Sequence, residues 1–147
     1  MSQIKIGISS CLAGYKVRYN GLDKKDSYLL EMLIDYNIQY IPVCPEVESG
    51  FGIPREPFII IGNRLIAKHT QIDYTDRINI WAKSRLIELN SENICGFIFK
   101  SMSPSCGKDG IFLRIFMEYF PFLPIETEST LRDQKVMENF IQKIINK

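Results

Sequence analysis

Gly96-Phe97-Ile98-Phe99-Lys100-Ser101-Met102-Ser103-Pro104-Ser105-Cys106-Gly107 runs from an apolar segment straight into small and turn-forming residues that carry a thiol. Ile94 to Phe99 is the near-continuous apolar run of a strand buried on both faces, the kind found in parallel sheets. Ser-Pro-Ser is turn chemistry. The stretch therefore predicts a strand whose carboxyl end hands a cysteine to a loop.

The same arrangement recurs twice upstream. Cys11 follows the β-forming segment Ile4 to Ile8 through Ser9-Ser10, and Cys44 follows Tyr40-Ile41-Pro42-Val43. Pro42 suits a strand end or an edge, where one missing N–H does no harm. Between these strands lie helical patterns. From about Lys25 to Tyr36, Tyr28, Leu29, Met32, Leu33 and Tyr36 share one face. From Thr75, a candidate N-cap, to Leu89, the stripe is Ile78, Trp81, Ala82, Arg85, Leu86 and Leu89. Gly110 to Tyr119 predicts a third helix, whose first N–H groups are expected to point at Cys106 and favour a thiolate. Pro121 and Pro124 break the chain, and Gln134 to Ile145 closes it with Val136, Met137, Phe140, Ile141, Ile144 and Ile145 on an apolar side. Phe58 to Ile61 and Arg64 to Ile66, joined by Gly62-Asn63, read as a hairpin outside the main sheet.

Strands alternating with helices predict an α/β fold: three layers, a mainly parallel central sheet, and helices on both faces. Such sheets bind ligands outside the carboxyl ends of their strands, where all three cysteines fall. At 147 residues the chain is expected to be one domain, 1–147, large enough to fold without disulfide staples.

Composition narrows the function. A hydrophobic fraction of 46% excludes a disordered chain, and a net charge of +1 gives no reason to expect nucleic acid or an anionic membrane as partner. The start, Met1-Ser2-Gln3-Ile4-Lys5, lacks the apolar core of a signal peptide, and no apolar run reaches the length of a membrane span. A cytoplasmic location is expected. In that reducing setting the four cysteines are free, metal-bound or catalytic rather than paired.

Three thiolates can hold a zinc that takes a fourth ligand, or an iron-sulfur cluster with one open iron. Cys11, Cys44 and Cys106 are 33 and 62 positions apart, so only the fold can gather them, and unrelated buried cysteines are the competing reading. Cys95, inside the apolar strand, reads as core, and His69 as an exposed loop residue. Glu46, two residues after Cys44, is placed to act as general acid or base beside the same pocket. Ser103 and Ser105 suit hydrogen bonding to a ligand or ordinary turn chemistry, and Arg18 and Arg55 suit an acidic group or a site carboxylate.

In combination, Ser9-Ser10-Cys11-Leu12 with Val17-Arg18-Tyr19, Val43-Cys44-Pro45-Glu46-Val47, Pro54-Arg55 and Ser103-Pro104-Ser105-Cys106-Gly107 resemble the thiouracil desulfidase family. The resemblance implies a 4Fe-4S cluster on Cys11, Cys44 and Cys106, its fourth iron open to the sulfur of a thiolated pyrimidine or similar small molecule. It implies Glu46 as the acid/base residue and Ser103 as a partner for substrate or water. Ser10, Ser105 and Arg18 are read as further substrate contacts beside them. The implied reaction is a non-redox, hydrolytic desulfuration that releases hydrosulfide. The family often has an aspartate where Asn20 stands and a glycine-rich segment where this chain has Lys108-Asp109-Gly110-Ile111-Phe112, so substrate contacts are expected to differ there. Two readings compete with the enzyme: a cluster-bearing binding or sensing module without turnover, and a zinc-bearing structural domain on the same cysteines.

Overall fold

The computed structural model describes residues 3–146; Met1 and Ser2, the start of the segment read above as leaderless, and Lys147 lie outside the described residues. The elements run β1 (Ile4–Ser9), α1 (Ser27–Asp35), β2 (Ile38–Val43), α2 (Pro45–Glu48), β3 (Phe58–Ile61), β4 (Arg64–Ala67), α3 (Thr75–Ser91), β5 (Phe97–Phe99), α4 (Ile111–Tyr119), β6 (Ile125–Thr127) and α5 (Gln134–Ile145). A 3-10 turn, Ser10–Ala13, follows β1 directly. No helix among the described residues is long and apolar enough to cross a membrane.

The central sheet has the order β2-β1-β5-β6 with every pair parallel. Alternation along the strands builds two cores. Ile6, Ile8 and Ile98 face Leu29, Met32 and Leu33 of α1 and Phe140, Ile141 and Ile144 of α5. On the other face Phe97 and Phe99 meet Ala82, Leu86 and Leu89 of α3 and Phe112 and Phe116 of α4. This is the three-layer α/β arrangement that the alternating pattern predicts. Gly7 is what lets the second face close. It pairs with Phe97, and a β-carbon there would lie 2.3 Å from the Phe97 ring, so the ring itself fills the space a side chain would take. Phe97 stacks on Phe99 at 4.2 Å, and Phe116 meets both rings edge-on at 5.1 and 5.3 Å.

The chain leaves β1 for β2 on one side and returns through α3 to β5 on the other, so the strand order reverses between β1 and β5. That crevice, at the carboxyl ends of the strands, is the switch point where open α/β sheets place ligands. Cys11 follows β1 and Cys106 follows β5.

Several expectations are corrected. The segment after Pro121 and Pro124 is not only a break: Ile125–Thr127 adds the fourth parallel strand against β5. Thr75 does not cap α3. Tyr74 is the capping residue, and the Thr75 hydroxyl instead accepts the Leu65 N–H at 2.8 Å, tying the helix to the β3–β4 hairpin. Tyr28, Tyr36 and Ile145 stand exposed: Tyr36 lies past the last residue of α1 as its cap, and Tyr28 and Ile145 flank faces whose buried residues are Leu29, Met32 and Leu33 in α1 and Phe140, Ile141 and Ile144 in α5. Arg85, placed in the α3 stripe, is only partly covered and pairs with Glu48 at 3.0 Å. Its alkyl stem lies along the helix face while its charge meets a carboxylate.

Candidate active site

A cleft of about 270 Å³ opens over the switch point, and Cys11, Cys44, Cys106, Glu46, Ser103, Ser10, Ser105 and Arg18 all line it. Cys95 and His69 lie elsewhere: Cys95 is half-buried beside the first core and His69 is exposed. All four cysteines are free thiols.

Each cysteine is positioned by its own loop. After β5 the chain folds so tightly that Gly107 donates its N–H to the Ser103 carbonyl at 2.7 Å. Ser103 Oγ accepts from the N–H groups of Ser105 and Cys106, both at 3.2 Å, so this hydroxyl holds the cysteine loop and keeps its proton for the cleft. Any side chain on Gly107 is excluded, since its β-carbon would lie 2.6 Å from the Ser103 oxygen and 2.8 Å from the Ser103 nitrogen. Gly107→Ala is expected to cost about 1–3 kcal/mol by overpacking, read as a melting temperature several degrees lower.

Cys44 caps α2, with Pro45 at the first helical position, where a missing N–H is harmless. The Cys44 N–H donates to Glu48 Oε2 at 2.9 Å, and Arg85 holds the other oxygen of that carboxylate. Cys11 sits in the 3-10 turn, and its carbonyl accepts from the N–H groups of Gly14 and Lys24 at 3.2 and 3.0 Å.

One expectation about Cys106 is overturned. The first N–H groups of α4 do not point at the thiol; Ile111 and Phe112 donate to the carbonyls of Pro104 and Ser105 at 3.1 and 2.9 Å. The loop is so compact that its own carbonyls take up the helix end. Burial accordingly pushes the Cys106 thiol well above its usual range, against a hydrogen bond from Ser9 that lowers it, while Cys44, Cys11 and Glu46 raise it further. Cys44 is raised by burial to about 11, and Cys11 is raised by burial against the cations of Lys100 and Arg18. Burial, and at Cys106 the neighbouring sulfurs as well, thus disfavour the thiolate forms, which a positive group among them would favour. Among the described residues no three His, Cys, Asp or Glu side chains are gathered as a ligand set for one metal ion; the thiols stand around the cleft.

A consequence is testable on metal-free protein. With Cys44 moved from 9.0 to about 11, its thiolate fraction at pH 8 is roughly a hundredfold below that of an unfolded cysteine. Iodoacetamide should label Cys44 of the folded protein correspondingly slowly, and mass spectrometry of the labelled peptide checks it.

Glu46 has both carboxylate oxygens held by hydrogen bonds. Arg55 Nε donates to its Oε1 at 2.8 Å and Ser105 Oγ to its Oε2 at 2.5 Å, with both the carboxylate and the serine buried. Arg55 also donates to the carbonyls of Val17 and Gly52 at 2.8 and 3.1 Å, so one guanidinium joins the Cys44 loop to the Cys11 loop. Charge-assisted bonds of this kind fix a carboxylate's direction as well as its charge.

Sequence reasoning missed two further contributors, Ser9 and Glu128. Ser9, buried at the end of β1, accepts the Lys100 N–H at 2.9 Å and meets Cys106. Glu128, just beyond β6, accepts from the N–H and hydroxyl of Ser101 at 2.6 and 2.8 Å and pairs with the Lys100 ammonium at 3.2 Å. Burial alone would raise the Glu128 carboxyl, but the Ser101 bonds and Lys100 together hold it below its usual value. Only the position of Ser9 at a strand end was a visible signal. Glu128 had none once β6 went unread.

The comparisons with known proteins agree with this architecture. The chain is similar to a solved structure of a 4Fe-4S-dependent thiouracil desulfidase, TudS, with a TM-score of 0.75 over 93% of this chain and 99% of that one, at 23% identity; the likeness is one of fold. It is 33% identical over 114 residues to the uncharacterized protein YbbK of Bacillus subtilis (strain 168), covering 71% of this chain and 74% of that protein. A family model, 2-thiouracil desulfurase, matches residues 6–145, a span that takes in all three cysteine loops and Glu46. By the extent of that match, this chain belongs to the 2-thiouracil desulfurase family.

Proposed function

We propose that the protein is a 4Fe-4S-dependent desulfidase acting on a thiolated pyrimidine or a related small thio-compound, and that Cys11, Cys44 and Cys106 hold the cluster. The observation that carries this reading is the convergence of three thiols, from three separate strand-end loops, on one cleft with a doubly hydrogen-bonded glutamate. The donor set fits the group. Cys11, Cys44 and Cys106 would hold the group as thiolates, whose charge burial disfavours in its absence and the positive charge of an iron-sulfur core would offset. When bound, the cluster supplies a Lewis-acidic iron with an open position for sulfur.

The chain's own residues do the rest. Glu46, aimed by Arg55 and Ser105, takes a proton from the water whose oxygen replaces the substrate sulfur. Ser103, whose oxygen is occupied by two backbone N–H groups, directs its hydroxyl proton into the cleft toward substrate or water. Pro57, Phe58, Val17 and Val43 supply apolar walls that limit the water admitted to the cleft. Thiocarbonyl and water become carbonyl, hydrosulfide and one proton, without net oxidation. The substrate is a small thio-compound rather than a nucleic acid, and the reaction runs in the reducing cytoplasm, where free cysteines persist.

The test is direct. Protein reconstituted without oxygen is incubated with 2-thiouracil, and uracil and hydrosulfide are quantified. Equal, enzyme-dependent yields are expected. A loaded protein that releases no sulfide from 2-thiouracil or other thio-bases would overturn the catalytic reading in favour of a binding module.

A further inference from the structure

Three cations line the cleft, and two are answered. Arg55 is paired with Glu46 at 2.8 Å and Lys100 with Glu128 at 3.2 Å. Arg18 is the third. Among the described residues no carboxylate pairs with it, although it is half-buried in the cleft wall and its charge is felt at the Cys11 thiol. Lining the cleft with no such partner, its guanidinium is placed to meet an anion that enters there.

The surroundings of Arg18 are rigid. Arg55 fixes the backbone on both sides of it, donating from its guanidinium to the Val17 carbonyl and from its N–H to the Tyr19 carbonyl, each at 2.8 Å. The turn beyond is closed by the Gly21 N–H on the Arg18 carbonyl at 2.8 Å and the Arg18 N–H on the Leu22 carbonyl at 3.1 Å. Its guanidinium carbon lies 5.9 Å from the centre of the Tyr19 ring, and both residues line the cleft. The same guanidinium that aims Glu46 thus also presents Arg18. A planar donor fork carried on a backbone held on both sides, beside an aromatic ring, is suited to a flat anion.

We infer that Arg18 is a specificity-determining residue that selects a monoanionic thio-compound over a neutral one, the charge lying on the ionised thioamide itself or on a carboxylate substituent. This inference rests on the desulfidase reading for the identity of the ligand but reads out through binding. A hydrogen-bonded charge pair of this kind is worth roughly ten- to a hundredfold in affinity.

Titration calorimetry on the cluster-loaded protein tests it with three probes: 2-thiouracil at a pH where its thioamide is ionised, its N,N-dimethylated neutral counterpart, and that neutral ring bearing a carboxylate. Arg18→Gln should weaken binding of an anionic probe at least tenfold and leave the neutral one unchanged. Arg18→Lys should recover part of the loss, and in turnover the change should fall on KM rather than kcat. Loss confined to the first probe places the charge on the thioamide; loss confined to the third places it on the substituent. Equal weakening of all three probes, or none, overturns the inference, with unchanged iron content showing that the variant is intact. Arg18-dependent anion binding without sulfide release by the wild type would leave the inference standing and defeat the desulfidase reading. Failure of the wild type to bind any probe would defeat both.

Discussion

Cys106→Ala protein, prepared and reconstituted without oxygen, is expected to lose its iron and acid-labile sulfide almost completely, from about four of each per chain to near background. The size of the effect follows from where the three thiols sit. Each is held by a different loop, so no neighbouring sulfur can substitute. Cys95, the fourth thiol, lies beside the first core and outside the cleft. Cys95→Ala is therefore the matched control and should keep full iron and sulfide. Cys106 is also the best-buried of the three cleft thiols and the one that Ser9 contacts. Its replacement removes a cleft sulfur while leaving the tight Ser103–Gly107 turn intact, because that turn is held by backbone groups and the Ser103 hydroxyl. Full iron content in both Cys11→Ala and Cys106→Ala would sink the cluster assignment.

Glu46→Gln carries the second large effect, and it separates binding of the cluster from chemistry. Glutamine keeps the size of glutamate and can still accept from Arg55 through its carbonyl, while its amide can donate to the Ser105 hydroxyl. The two contacts that position the side chain thus survive in altered form, but its capacity to take a proton does not. Sulfide release should fall by roughly 10²–10⁴, the usual contribution of a placed general acid or base, with iron and sulfide content unchanged. Single-turnover measurement of hydrosulfide distinguishes a lost chemical step from slow product release. A variant that releases sulfide at the wild-type rate would remove Glu46 from the chemistry and leave it as part of the Arg55 clamp.

What the sequence makes legible here is what lies close along the chain. An apolar run ending in small residues and a cysteine is local, and it locates β1, β2 and β5 together with the loops of Cys11, Cys44 and Cys106. The alternation of such runs with helical stripes gives the layer order. Features set by distant pairing are not legible in the same way. Ile125–Thr127 is only 3 residues long and follows two prolines, so nothing local outweighs the breakers; it becomes a strand because β5 offers it a partner. With β6 unread, Glu128 and its hold on Lys100 and Ser101 had no place. The expectation for α4 failed for a related reason: the periodicity locates the helix but does not show that Pro104 and Ser105 turn their carbonyls onto its first N–H groups. Arg55 was read as a partner for some acid group. That it grips Glu46 with one edge and the Val17 carbonyl with another depends on two loops meeting 38 positions apart.

The measurement that tests the central claim most directly is the iron, zinc and acid-labile sulfide content of the wild-type protein reconstituted without oxygen. Iron and sulfide near four each, with negligible zinc, is the predicted result. Stoichiometric zinc without sulfide, or neither metal after reconstitution, would contradict it.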